Sequence, residues 1–213
     1  MKKTSILIVD DHAILRMGLA SLINAEPDLA VVGDAEDGES GIRKARKTNP
    51  DVIIMDLMMP DMDGVETTRR ILADNPEARI LILTTYGTSD ALGHALAAGA
   101  RGAVMKNIPF PELVHAIRTI AGGETFVAPD IRRILASRPP LPPLSPRQEE
   151  ILAAIARGLS NPDIAKLLDI GPDMVKSHIK TLFQKLGAAT RAEAVDIAYS
   201  RHLLKTSAYL PSE

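Results

Sequence analysis

Cysteine is absent from the 213-residue chain, which removes disulfide staples, thiolate zinc sites and cysteine nucleophiles together and suits a reducing compartment. A cytoplasmic location is the expectation. Long apolar runs are missing as well. After Lys2 and Lys3 only residues 6–9 are uniformly apolar before Asp10 and Asp11 intervene, too short for a signal-peptide core. Nowhere does an uncharged apolar stretch approach the roughly 18 residues of a membrane span. No membrane partner is therefore expected. Nor does one sign of charge dominate, since the formal net charge is only −2.

Hydrophobic residues make up 46% of the chain against 24% charged, enough for a core and too much for wholesale disorder. The length allows one large domain or two small ones, and charge separates two. Residues 1–125 carry 13 Lys and Arg against 18 Asp and Glu, a net of −5, whereas residues 126–213 carry 12 against 9, a net of +3. Between them, Pro139, Pro140, Pro142 and Pro143 forbid helix and favour an extended, semi-rigid linker. A Pro-rich recognition peptide is the alternative. The expected division is a domain over 1–125, a linker over 126–143 and a second domain over 144–213.

In the first domain, short β-branched runs at residues 5–9, 29–32, 52–55, 80–83 and 102–105 have strand length and composition. Amphipathic stretches near 13–24, 40–47, 65–74, 90–98 and 111–121 alternate with them. Near-continuous apolar strands covered by helices on both faces mean a doubly wound, five-stranded parallel sheet. In such sheets the site lies at the carboxyl ends of the strands. Those ends carry Asp10 and Asp11, Asp56, Thr84 and Lys106.

Carboxylates held about 5 Å apart repel one another by roughly 3 kcal/mol at an effective dielectric near 20, and Lys106 alone does not neutralise them. Oxygen donors without imidazole or thiolate favour a hard divalent ion such as Mg2+, which takes phosphate oxygens as remaining ligands. His12 reads as a helix-start residue rather than a ligand. A carboxylate beside Mg2+, with a hydroxyl and an ammonium opposite, is equipment for accepting a phosphoryl group. Asp56 would attack phosphorus, Lys106 would hold the developing charge, and Thr84 would hydrogen-bond one oxygen. The plainer alternative is a solvated cluster of strand-end charges.

Ile6-Leu7-Ile8-Val9-Asp10-Asp11-His12, Met55-Asp56-Leu57-Met58-Met59-Pro60-Asp61-Met62-Asp63-Gly64, Thr84 and Lys106 together resemble the receiver domain of two-component response regulators, over residues 4–122. The resemblance implies a flavodoxin-like fold, phosphotransfer from a cognate sensor histidine kinase to Asp56, and Mg2+ held by Asp10, Asp11, Asp56 and the carbonyl of Met58. One departure stands out. Receivers usually carry an aromatic three residues before the lysine, where this chain has Ala103, which puts the usual rotamer relay in doubt. Tyr86 is a candidate substitute reporter.

In the second domain, Ser145-Pro146-Arg147-Gln148 reads as a capped helix start, and Gly158 as its stop. A short helix from Asn161, a turn through Gly171 and a helix from Pro172 to Leu186 make a helix-turn-helix. A fourth helix should run from Thr190 to about Leu204. On the third, Val175, Ile179, Leu182, Phe183 and Leu186 form one apolar stripe. Lys176, Ser177, Lys180, Thr181 and Gln184 lie opposite, suited to phosphates and base edges in a major groove. A solvated helix face is the alternative.

Leu144-Ser145-Pro146-Arg147-Gln148-Glu149-Glu150-Ile151-Leu152, Gly158-Leu159-Ser160-Asn161, Val175-Lys176-Ser177-His178 and Lys185-Leu186-Gly187 resemble the LuxR-type helix-turn-helix. With the receiver and linker, the whole chain resembles the NarL/FixJ response regulators. That implies a phosphorylation-controlled transcription regulator, double-stranded promoter DNA as partner, a phosphorylation-dependent homodimer with a contact at Ala194, Ile197 and Ala198, and no enzymatic activity beyond self-phosphotransfer and slow autodephosphorylation. Gly171 and Met174 depart from the Ser/Thr and Thr usual there, so a helix cap and one phosphate contact are in question. An aspartyl-phosphate phosphatase is disfavoured because Met58 replaces the general acid such enzymes place two residues past the nucleophile.

Overall fold

The first unit is built on alternating strands and helices whose order follows the hydrophobic pattern. The structure, a computed structural model, describes residues 3–85, 88–201, 203 and 204. It divides into two compact units, Met1–Pro140 and Leu141–Glu213. In the first, β1 (Thr4–Val9), β2 (Leu29–Ala35), β3 (Val52–Met55), β4 (Ile80–Thr84) and β5 (Gly102–Met105) alternate with α1 (Ala13–Asn24), α2 (Gly38–Thr48), α3 (Gly64–Asp74), α4 (Ser89–Ala97) and α5 (Phe110–Ala121).

The five-strand expectation requires a correction. A sixth strand, β6 (Phe126–Val127), pairs parallel with β5, Gly102 opposite Phe126 and Ala103 opposite Val127. Helix α6 (Pro129–Ser137) follows. The expected linker over 126–143 therefore opens with a dozen residues that include folded elements of the first unit. Pro129 sits in the first turn of α6, where its missing N–H costs nothing, and Ile131 is wholly buried, with Ile134 and Leu135 partly so.

The sheet order is β2-β1-β3-β4-β5-β6. Residues 52–55 and 80–84 are buried throughout, as strands covered on both faces must be, while β2 at the edge mixes buried and exposed positions. The order reverses direction between β1 and β3, so the crevice beyond their carboxyl ends is the topological switch point. Val9 and Met55 are in register there, which places Asp10 and Asp56 side by side.

The second unit contains α7 (Pro146–Ala156), α8 (Asn161–Leu168), α9 (Pro172–Leu186) and α10 (Arg191–Ser200). Ser145 and Gln148 form the expected capping box, and Ser160 with Asp163 forms another. Helix α10 stops at Ser200, short of the expected Leu204. Ile151, Leu152, Ile155, Ile164, Val175, Leu182 and Leu186 form the core. Ile179 and Phe183, expected in the same stripe, are only partly buried. Among the described residues no helix is long and apolar enough to cross a membrane.

Candidate phosphoacceptor site and nucleic-acid interface

Strand ends assemble the first site. Asp10 and Asp56 are each 2% exposed, and the Lys106 ammonium lies 2.7 Å from a carboxylate oxygen of both. Lys106 reaches them because its N–H bonds to the Thr84 carbonyl, extending the β4–β5 ladder past Met105. Burial pushes the Asp56 carboxyl above the usual carboxylate range; the Lys106 hydrogen bond and charge pull it back only in part, and the Asp10 charge adds to the rise. Burial also works against the Lys106 charge, but hydrogen bonds to Asp10 and Asp56 outweigh it and hold Lys106 above the ordinary lysine value.

Oxygens of Asp10, Asp11 and Asp56 and a ring nitrogen of His12 lie within 4.8 Å of one another. His12 flanks the start of α1 as expected, its N–H donated to Asp10 Oδ1 at 2.8 Å. Its ring, 66% exposed, also approaches Asp11 Oδ1 to 2.6 Å. Three carboxylates against one ammonium leave two negative charges, the charge one divalent cation cancels, and the carboxylate donors are of the hard kind Mg2+ takes. The Thr84 hydroxyl, wholly buried at the end of β4, has no hydrogen-bond partner among the described residues. A buried hydroxyl without a partner is costly unless something occupies its reach at another stage. Met58, beyond Asp56, is 61% exposed, and its N–H approaches Asp56 Oδ1 at 3.4 Å.

Two positioning residues carried no strong sequence signal. Arg16 on α1 donates to the Asp10 carbonyl at 2.6 Å and to Asp34 at 3.0 Å, its side chain 11% exposed. Gly64 opens α3 so close to Asp56 that an added Cβ would stand 2.1 Å from the Asp56 carbonyl oxygen. Ala103 is wholly buried in β5. Tyr86, the candidate substitute reporter, lies outside the described residues.

On α9, Lys176, Ser177, Lys180, Thr181 and Gln184 are all exposed, while Val175, Leu182 and Leu186 face the core. Lys176 is held at 3.0 Å by Asp173 of the first turn. Thr181 donates to the Ser177 carbonyl. Gly171 flanks the helix start with no side-chain bond, so the expected loss of a cap is observed. The contact expected at Ala194, Ile197 and Ala198 needs correction. Ala194 and Ala198, one helical turn apart, are wholly buried where α10 packs on α7 and α9, and Ile197 packs partly against the same core. The exposed side of α10 carries Ala192, Asp196 and Tyr199 instead.

Residues 6–118 match the family model described as response regulator receiver domain, and residues 142–198 match bacterial regulatory proteins, luxR family. The transcriptional regulatory protein LiaR of Bacillus subtilis (strain 168) is 36% identical over 207 residues, covering 93% of this chain and 98% of LiaR. Among solved structures, the response regulator ChrA of a heme-sensing two-component system is 33% identical with a TM-score of 0.57, covering 96% of this chain and all of that one. The two-component response regulator RcsB in complex with DNA is 27% identical with a TM-score of 0.64, covering 93% and 99%. Strand-end acids, an exposed helix-turn-helix face and these two matched halves identify the chain as a response regulator of the NarL/FixJ type, a two-component transcription regulator that joins a receiver domain to a LuxR-type DNA-binding domain.

Proposed function

We propose that Asp56 accepts a phosphoryl group from a cognate sensor histidine kinase and that the acylphosphate promotes homodimerisation and promoter binding. The observation that carries this is the Lys106 ammonium shared at 2.7 Å by buried Asp56 and Asp10, together with a buried Thr84 hydroxyl at the end of β4 that has no partner among the described residues. An Asp56 oxygen attacks phosphorus as the bond to the kinase imidazole breaks, and the imidazole leaves with the electron pair and takes up a proton. Lys106 follows the charge that develops on the equatorial oxygens, and Thr84 donates its hydroxyl to one of them. Asp10, Asp11, Asp56 and the carbonyl of Met58 would hold Mg2+, which supplies positive charge to the phosphoryl oxygens when bound. Met58 offers no acid for rapid hydrolysis, so self-phosphotransfer and slow autodephosphorylation are the only chemistry. The first domain, expected over 1–125 and extended here by β6 and α6, and the second domain over 144–213 work in the cytoplasm, joined through the Pro-rich segment.

Lys176, Ser177, Lys180, Thr181 and Gln184 face the DNA, with α9 in the major groove. Residues 144–205 carry 9 basic and 7 acidic side chains, so one module grips DNA weakly and dimerisation decides occupancy. One module neutralising about four phosphates gives a log–log salt slope near −3.6, and a dimer about −7. The RcsB complex with DNA supports this assignment of the second domain. Acetyl phosphate with Mg2+ is expected to phosphorylate the chain but not Asp56→Asn, and to steepen the salt slope of binding to a selected duplex. Equal affinity and equal slope with and without phosphorylation would refute the coupling.

A further inference from the structure

The aromatic that reports phosphorylation in receivers is replaced here by Ala103, and the fold puts something else in its place. Side chains alternate across β5. Gly102 faces α5, since its added Cβ would meet Ile120 at 2.8 Å. Ala103 therefore faces the other side of the sheet, where α4 and α6 both pack on β5 and on each other. Wholly buried Ile131 anchors α6 to the core that also contains Ala103 and Leu92 of α4. An aromatic at 103 would compete with α6 for that space.

The chain then continues from α6 along α4. Pro140 sits so tightly on Gly93 of α4 that an added Cβ there would meet its ring at 2.5 and 2.6 Å. Helix α4 begins five residues after Thr84, whose buried hydroxyl has no partner among the described residues and is the group proposed above to bond a phosphoryl oxygen. Three residues beyond Pro140, the Pro143 carbonyl accepts from Lys185 of the second unit at 2.7 Å, and Lys185 also donates to Gln148 at 2.9 Å. Only Leu141 and Pro142 separate the two fastenings. Prolines make this segment stiff enough to pass on a displacement rather than absorb it.

We propose that α6 and the Pro140 strap are the signal reporter of this chain: they dock on α4 and β5 when Asp56 is unmodified, and phosphorylation at Asp56 releases them through α4. The proposal rests on the phosphoacceptor reading above and adds the route by which the modification reaches the linker. Gly93 is glycine because the strap needs contact with the helix backbone.

Gly93→Ala tests it, because alanine favours helix over glycine yet denies Pro140 its seat. The measurement is amide hydrogen exchange over residues 131–138 in the full chain, with and without Mg2+ and beryllofluoride, alongside affinity for a duplex selected from a random pool. In wild type, beryllofluoride is expected to speed exchange in that segment about tenfold. Gly93→Ala should exchange at the faster rate in both conditions, bind beryllofluoride normally, and bind DNA with the affinity of the activated wild type whether or not beryllofluoride is present. Pro140→Gly, which removes the ring from the other side, should behave the same way. Wild-type exchange indifferent to beryllofluoride, or a Gly93→Ala segment as protected and responsive as wild type, overturns the proposal. A wild type whose segment responds while its DNA affinity does not leaves the strap standing and overturns the DNA-control reading instead.

Discussion

Replacing Gly64 by alanine should damage phosphotransfer more than any other single-methyl change near the site. The new Cβ would lie 2.1 Å from the Asp56 carbonyl oxygen and 2.9 Å from both the Asp56 carbonyl carbon and the Leu57 Cα. Non-bonded carbon and oxygen atoms settle near about 3.3–3.6 Å, so roughly 1 Å of separation has to be found. The obstacle is main chain, which does not rotate away as a side chain would. Gly64 N–H is moreover bonded to the Leu57 carbonyl at 3.0 Å, and Leu57 is buried. Overpacking costs about 1–3 kcal/mol, and a rigid obstacle puts this case near the top of that range. For a chain of this size that lowers Tm by roughly 6–12 °C. A reacting group misplaced by about 1 Å loses about 100-fold in rate. Phosphorylation by acetyl phosphate, followed on phosphate-affinity gels below the melting transition, reads the rate. Gly18→Ala on α1, where an added Cβ meets nothing within 4 Å, is the control and should be neutral or slightly stabilising. A folded Gly64→Ala chain with wild-type Tm and a rate within about threefold of wild type would show that the close approach does not position Asp56.

Two further outcomes follow from the charges. Because burial raises the Asp56 pKa above its ordinary value, its contribution to stability is complete below that ordinary value and is lost as pH rises through the raised one. Asp56→Asn should therefore be more stable than wild type at neutral pH, with a gap that closes as pH falls toward the ordinary carboxylate value in urea titrations; a gap independent of pH would contradict this. Asp173→Asn removes a carboxylate that holds Lys176 in an exposed pair worth about 0–1 kcal/mol to the fold. It should tighten DNA binding several-fold and steepen the salt slope by about 1, and unchanged binding would place Lys176 away from phosphate.

Much of this protein was legible in its sequence for a local reason. Buried parallel strands need unbroken β-branched runs, so β1, β3 and β5 are readable to within a residue, and polar residues ending such runs can only lie on one rim of the sheet. Asp10, Asp56, Thr84 and Lys106 are found there because the chain pattern leaves them no other place. Capping at Ser145 and Thr190 is equally local, a side chain bonding a backbone N–H three residues on. The features that escaped are those set by contacts distant in sequence. A two-residue β6 has no periodicity to detect and exists only because β5 presents an open edge. Ala194 and Ala198 read equally well as a partner contact or as core until α7 and α9 cover them. The seat of Pro140 on Gly93, the approach of Gly64 to Asp56 and the reach of Arg16 to the Asp10 carbonyl depend on which surfaces meet when helices pack. Residue order therefore determined which charged and hydroxyl groups stand at the strand ends and which polar side chains share one face of α9, while packing decided which small residues are clearances and which surfaces remain free.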